Sequence, residues 1–123
     1  MTKTVVKLPF PVSTNALYTN VPGRGRVKSA RHATWKQVAG IELAQQRLKP
    51  VKGVVHLDIA LGRPKNRDGT PSKVRRDLSN LVKCVEDILV EHGTIEDDCL
   101  VHDLHVYWCE KTEGAAVTII SKS

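Results

Sequence analysis

Residues 75–89, RRDLSNLVKCVEDIL, carry the clearest secondary-structure signal in this 123-residue chain. Apolar residues recur there at steps of three and four, which predicts one amphipathic helix. They are Leu78, Leu81, Val82, Val85, Ile88 and Leu89. Gly93 follows where a C′ glycine ends a helix, and EHGTIEDD (91–98) is an acidic turn. The stretch 75–98 therefore combines a helix that needs a core with a dense group of charges.

The remaining segments predict an α+β fold around that helix. Residues 3–8, 54–61, 100–109 and 115–120 are rich in β-branched and apolar side chains and predict four strands. The last two are expected to pair as a hairpin. A second helix is predicted over 33–48 and is ended by Pro50. We expect one small domain over 1–123, with two main helices and a mixed, mostly antiparallel sheet.

Charge is distributed unevenly along the chain. There are 19 Lys and Arg against 13 Asp and Glu, a net charge of +6. Ten of the basic residues lie in two predicted loops, at 19–31 and 62–76, whereas eight of the acids lie between Asp77 and Asp103. A basic rim that holds phosphates around an acidic centre that holds metal is typical of a nuclease. Ordinary solvated loops beside a solvated helix face give the same pattern.

The cellular setting is predicted from what the chain lacks. The three cysteines are odd in number, no secretory leader precedes them, and no apolar run approaches the ~20 residues needed to cross a bilayer. We expect a reduced, cytoplasmic protein with no membrane partner.

The carboxylates of residues 75–98 each have two interpretations. Asp77, at the predicted helix entry, is placed for an N-cap as well as for a metal ligand. Positions seven apart share one line of a helix, so Ser79 and Glu86 align with Lys83 between them. Glu86 is also spaced for an i+3 ion pair with Lys83. Asp97 and Asp98, taken alone, are typical of an exposed turn.

The order of these residues is more specific than any one of them. An Arg-rich approach, then D-x-D-N-L-x-K at a helix start, then a D-D pair after that helix is the pattern of a known family. The chain matches it at Arg75, Arg76, Asp77, Leu78, Asn80, Leu81, Lys83, Asp97 and Asp98. LPFPVSTNALY (8–18) is similar to the family's opening. The chain resembles the RusA family of Holliday junction resolvases, endonucleases that nick four-way DNA junctions.

The resemblance implies a Mg²⁺-dependent endonuclease that resolves four-way DNA junctions by paired symmetric nicks. It implies a homodimer in a bacterial or phage setting, associated with the nucleoid. Catalytic roles fall to Asp77, Lys83 and Asp98, and metal binding to Asp77, Asp98, Glu86 and Asp97. DNA binding is expected from Arg75, Arg76, Arg24, Arg26, Lys28, Arg63, Lys65, Arg67 and Lys73.

Ser79 departs from the family pattern, because the family has at that place an Asp that helps to hold magnesium. Glu86 could supply the missing carboxylate from the same helix line, since helical side chains lean toward the amino end. Alternatively, the protein binds junctions or other nucleic acid without cleaving them. A basic module that acts on RNA or another partner is a third hypothesis. We favour relocation to Glu86, with Ser79 and Asn80 marking the helix start.

Overall fold

The computed structural model describes residues 2–122. Its regular elements are β1 (Lys3–Leu8), β2 (Tyr18–Val21), β3 (Gly25–Lys28), α1 (Ala30–Gln46), β4 (Val55–Leu61), α2 (Lys83–Glu91), β5 (Val101–Trp108) and β6 (Ala115–Ser121). Short 3₁₀ turns lie at Thr14–Ala16, Leu78–Leu81 and Asp98–Leu100. Among these residues no helix is both long enough and apolar enough to span a bilayer.

Four strands form the main sheet in the order β1–β6–β4–β5. The β1–β6 and β6–β4 pairs are antiparallel, whereas β4 and β5 are parallel. The predicted α+β fold with a mixed, mostly antiparallel sheet is therefore confirmed. The predicted hairpin between the last two strands is wrong, because β4 lies between them. Leu57, Ile59 and Leu61 of β4 are fully buried, so this strand takes the centre and both later strands pair with it.

One core forms where the sheet packs against the helices. It combines alternate residues of β1, β4 and β6 with residues of α1 and α2. Its main members are Val6, Leu8, Leu57, Ile59, Leu61, Val117, Ile119, Trp35, Ala39, Leu43, Val85, Ile88 and Leu89. Because α2 buries one side of its surface here, its polar side remains available at the edge of the core.

The first predicted helix and the first basic loop differ in detail from the structure. α1 begins at Ala30 instead of residue 33, because the Ser29 hydroxyl accepts a hydrogen bond from the His32 backbone N–H. The helix ends at Gln46, since Arg47 adopts a left-handed backbone with φ 51°. The preceding segment is a β2–β3 hairpin and not a loop, so its arginines project from a two-stranded ribbon.

The second predicted helix is shorter than its apolar pattern indicates. Residues 78–81 form a 3₁₀ turn, and α2 begins only at Lys83. The Thr14 hydroxyl donates a hydrogen bond of 3.0 Å to the Asn80 carbonyl, an acceptor that a continuous α-helix would use internally. At the other end, Gly93 has φ +70°, which confirms the predicted C′ glycine.

Candidate active site

Glu86 and Asp98 lie close enough to interact electrostatically, where α2 contacts the turn at Asp98–Leu100. Glu86 lies in the first turn of α2 and is half-buried. Burial, followed by the charge of Asp98, raises the pKa of Glu86 above its ordinary value. This mutual proximity makes a patch in which negative charges are unfavourable unless a cation or a proton offsets them.

The adjacent aspartates of this patch have different environments. The Asp97 carboxylate accepts a hydrogen bond of 3.2 Å from the Cys99 backbone N–H and so caps the 3₁₀ turn. A side-chain hydrogen bond with Asp98 lowers the pKa of Asp97, and the same bond raises the pKa of Asp98. Asp97 therefore has a structural role in the turn, whereas Asp98 is the carboxylate that interacts electrostatically with Glu86 and Lys83.

Lys83 lies at the start of α2 beside this patch. Its ammonium is 3.2 Å from the Asp87 carboxylate at i+4, so the predicted i+3 ion pair with Glu86 is not the one that forms. The hydrogen bond with Asp87 is the main cause that raises the pKa of Lys83, and the charges of Asp98 and Glu86 add to it. Asp87 is thus a member of the site that the sequence prediction missed, although its i+4 spacing was a usable signal.

Asp77 occupies a neighbouring cleft. Its backbone is extended, with φ −87° and ψ 122°, and its side chain makes no capping hydrogen bond, so the N-cap interpretation is wrong. Within residues 2–122 the carboxylate makes no hydrogen bond or ion pair. The cleft has a volume of about 830 Å³ and is also lined by Asn80, Arg75 and Arg76. Asp77 is therefore an uncommitted carboxylate beside two guanidinium groups.

Ser79 and Glu86 do not lie on the one continuous α-helix that the sequence predicted. Ser79 is exposed in the 3₁₀ turn, whereas Glu86 belongs to the α-helix that starts after Val82. Because the two residues lie in different elements, the seven-residue spacing of a single α-helix does not describe how they are related. Glu86 nevertheless lies close to Asp98, so its proximity to the acidic turn does not depend on that spacing.

The predicted DNA-binding residues occupy two regions of the surface. Arg24, Arg26 and Lys28 lie on or beside the β2–β3 hairpin, where the Arg26 guanidinium stacks 4.2 Å from the Tyr18 ring centroid. A hydrogen bond with Lys36, together with repulsion from it, lowers the pKa of Lys28. The second region is the irregular segment 62–77, with Arg63, Lys65, Arg67, Lys73, Arg75 and Arg76.

Arg31, at the start of α1, and Arg75 and Arg76, at the end of the second basic segment, line the same cleft as Asp77. Chain segments that are distant in sequence therefore bring their positive charge to one cleft. A polyanion that entered this cleft would meet guanidinium groups from both sides.

Comparison with known proteins gives one consistent result. The model of the family described as Endodeoxyribonuclease RusA matches residues 9–120. The chain belongs to the RusA endodeoxyribonuclease family. It is 32% identical over 117 residues to the crossover junction endodeoxyribonuclease RusA of Escherichia coli (strain K12), which covers 93% of this chain and 89% of the relative. The enzyme of the same name from Enterobacteria phage 82 has the same identity and coverage. The prediction of this family, and of a nuclease, is confirmed.

The acidic residues of this RusA-family chain fit a magnesium ion by their chemistry. Glu86, Asp98 and Asp77 offer carboxylate oxygens, the donors that Mg²⁺ prefers. In the described part of the chain, no three His, Cys, Asp or Glu side chains converge as a preformed metal site. Mg²⁺ is usually bound by one or two carboxylates together with waters and substrate phosphates. An incomplete set of carboxylates therefore suits Mg²⁺ better than it suits a metal that needs a full protein cage.

Proposed function

We propose that this chain is a Mg²⁺-dependent, structure-selective endonuclease that resolves four-way DNA junctions by paired symmetric nicks as a homodimer. Support comes from its RusA-family membership and from relatives named crossover junction endodeoxyribonucleases. The observation that carries the proposal is the electrostatic proximity of Glu86, Asp98 and Lys83, together with an arginine-lined cleft that contains Asp77.

The residues divide the work according to their surroundings. Asp98 and Glu86 would hold the ion together with waters and a substrate phosphate, and Asp97 would keep Asp98 in place by capping the turn. Asp77, in the cleft, is the remaining carboxylate of the proposed set. A bound Mg²⁺ supplies positive charge at the scissile phosphate and lowers the pKa of an attacking water. The ammonium of Lys83 stabilises negative charge that develops on the phosphate. Arg75 and Arg76 hold the neighbouring backbone from the cleft.

Paired nicking follows from symmetry. A four-way junction can present two-fold symmetry, and an isologous dimer places two equivalent sites on it. One chain carries one acidic patch between α2 and the 98–100 turn. Two chains related by a two-fold axis would therefore cut two strands at symmetric positions.

Ser79 supports a second candidate, a homologue that binds junctions without cleaving them. The chain has a hydroxyl where the family pattern has a carboxylate, and Glu86 lies in a different element from that position. In this case the basic surfaces bind DNA, while the acidic patch lacks the affinity to hold an ion. Binding and cleavage must therefore be measured separately.

The test uses a labelled four-way junction incubated with the purified protein, with Mg²⁺ or with EDTA. We expect symmetric nicks only with Mg²⁺, and binding in both conditions. Asp98→Asn should lower nicking by about 10³-fold while leaving the dissociation constant within about twofold, because it removes a charge on which the reaction depends and not the DNA grip. Binding without nicks by the unmodified protein would favour the non-cleaving homologue. Equal affinity for the junction and for a linear duplex would argue against structure selectivity.

A further inference from the structure

We call the irregular segment 62–77 the basic loop. Arginines at its opposite ends stack on two neighbouring aromatic rings. The Arg63 guanidinium carbon lies 4.2 Å from the centroid of the Trp108 ring, and that of Arg76 lies 5.6 Å from the Phe10 ring. The Phe10 and Trp108 rings are themselves stacked, with centroids 6.2 Å apart and planes inclined by 11°. We call this connected series, Arg63–Trp108–Phe10–Arg76, the aromatic–arginine stack.

The two rings belong to well-anchored backbone. Trp108 ends β5, and the backbone N–H of the next residue, Cys109, donates a 2.8 Å hydrogen bond to the Leu61 carbonyl. Phe10 lies between two prolines, and the carbonyl of Pro9 accepts a hydrogen bond from the Trp35 indole. Two points on the sheet and core therefore hold the rings in place.

The loop that carries the arginines has little structure of its own. Residues 62–77 contain no helix or strand, and an isolated bridge between Lys65 and Pro71 is the regular pairing found there. The first and the last position occupied by arginine in this loop are the ones that stack. The stack thus fixes one end of the loop to the end of β5 and the other to the segment that follows β1, and most of the residues between them are exposed.

Stacking leaves the hydrogen-bonding edges of the guanidinium groups available. Among the residues that the structure describes, neither Arg63 nor Arg76 forms an ion pair with a carboxylate. The Nη1 atom of Arg76 donates hydrogen bonds to the Ser72 hydroxyl and the Val74 carbonyl at 3.4 and 3.3 Å. The N–H groups on its other nitrogens remain available to a phosphate. A planar guanidinium held over a ring is oriented for bidentate contact with a phosphate.

The members of the stack line two cavities. Phe10 and Arg76 line the cleft of about 830 Å³ that contains Asp77. Arg63 and Trp108 line a second cavity of about 670 Å³, which also contains Lys73. A chain of phosphates that passes over the stack would meet Arg76 at the first cavity and Arg63 at the second.

We propose that the stack positions the phosphodiester backbone of the DNA. Trp108 and Phe10 hold the guanidinium groups of Arg63 and Arg76 in orientations that allow them to contact phosphates at the two cavities. Phe10 and Trp108 are positioning residues, since they act through the arginines. The inference rests on the proposed function only in taking DNA as the polyanion. It adds that stacking, and not positive charge alone, determines the affinity.

The experiment measures the dissociation constant for a labelled four-way junction in EDTA, over a range of salt concentrations. Trp108→Leu and Phe10→Leu should each weaken binding by about five- to tenfold. Each should also reduce the slope of log K against log salt by about 0.9, the value of one phosphate contact. Arg63→Lys keeps the charge but loses the planar stack, so it should weaken binding similarly.

Trp108→Phe preserves a ring under Arg63 and should restore most of the affinity. Leu104→Ala is the matched control, because Leu104 is an exposed apolar residue of the same strand and lies outside the stack. It should bind like the unmodified protein. Arg63 is exposed, so its replacement by Lys tests the idea without disturbing the fold.

The outcomes separate this inference from the proposed function. If Arg63→Lys and Trp108→Leu both bind with unchanged affinity and salt slope, the stack has no positioning role, whether or not the protein nicks junctions. If the unmodified protein binds junctions but never nicks them, the proposed function fails. The dissociation constants of the Trp108, Phe10 and Arg63 variants then still decide whether the stack positions the DNA backbone. An unmodified protein that binds no junction overturns both.

Discussion

At the residue scale, the environment of Lys83 shows that sequence spacing alone does not predict which carboxylate pairs with a given lysine. The sequence allows a partner at i+3 or at i+4, because both positions share its helix face. The structure places the ammonium against Asp87 at i+4, while Glu86 lies close to Asp98. Lys83 therefore touches one carboxylate outside the proposed metal-binding set and lies near two that belong to it.

Replacing either member of the Lys83–Asp87 pair should separate catalysis from simple ion pairing. Lys83→Met is expected to lower the single-turnover nicking rate by about 100-fold, because it removes positive charge from the phosphate in the transition state. Asp87→Asn should change that rate by less than about threefold, since the ammonium remains, and should cost only tenths of a kcal/mol in stability. If both variants lose activity equally, Lys83 acts only as part of the ion pair.

At the scale of elements, the most consequential contact lies where β4 ends. Gly62 follows the strand directly, and its N–H donates a 2.9 Å hydrogen bond to the Gly114 carbonyl. A Cβ built on Gly62 would collide with the backbone carbonyl of Thr112, in the connection between β5 and β6. This close approach fixes the starting point of the basic loop, and with it the position of Arg63.

Gly62→Ala is therefore expected to destabilise the fold by more than about 2 kcal/mol, because backbone must move to admit the methyl group. Gly69→Ala is the matched control within the same loop. Gly69 has φ +87° and open space around it, so alanine there should cost only about 1 kcal/mol of backbone strain. Urea denaturation of both variants checks the difference. Equal free energies of unfolding for the two variants would mean that the β5–β6 connection can shift at little energetic cost.

Element boundaries also show what local patterns cannot predict. The apolar spacing of residues 78–89 predicts an amphipathic helix, and α2 does bury Val85, Ile88 and Leu89. The pattern cannot reveal that the Thr14 hydroxyl bonds the Asn80 carbonyl, 66 residues away in sequence. That contact accompanies the change from a 3₁₀ turn to an α-helix, which puts Ser79 and Glu86 in different elements.

At the scale of the whole molecule, Glu86 is expected to link stability to the proposed metal binding. Its pKa is raised in the folded state, first by burial and then by Asp98. A raised pKa favours the protonated form, so its stabilising contribution is present at low pH and is lost as pH rises through the folded pKa. At neutral pH the ionised side chain therefore opposes folding until a cation binds.

Glu86→Gln should raise the Tm of the metal-free protein at pH 7 by about 1–3 °C. The advantage should disappear near pH 4, where the glutamate of the unmodified protein is also protonated. Added Mg²⁺ should raise the Tm of the unmodified protein more than that of the variant, because binding to the folded state stabilises it. Glu42→Gln, the same change on α1, is the control. If Mg²⁺ raised the Tm of the Glu86→Gln variant as much as that of the unmodified protein, Glu86 would not hold the ion.

The amino-acid sequence by itself determined the family, the α+β class and the second helix, because each depends on the order and spacing of nearby residues. Tertiary structure decided what depends on residues distant in the chain. It placed β4 between the last two strands, since the most buried strand takes the centre of the sheet. It set Glu86 against Asp98, and it stacked Arg63 and Arg76 on Trp108 and Phe10. Stacking and burial depend on three-dimensional proximity, which sequence spacing does not encode.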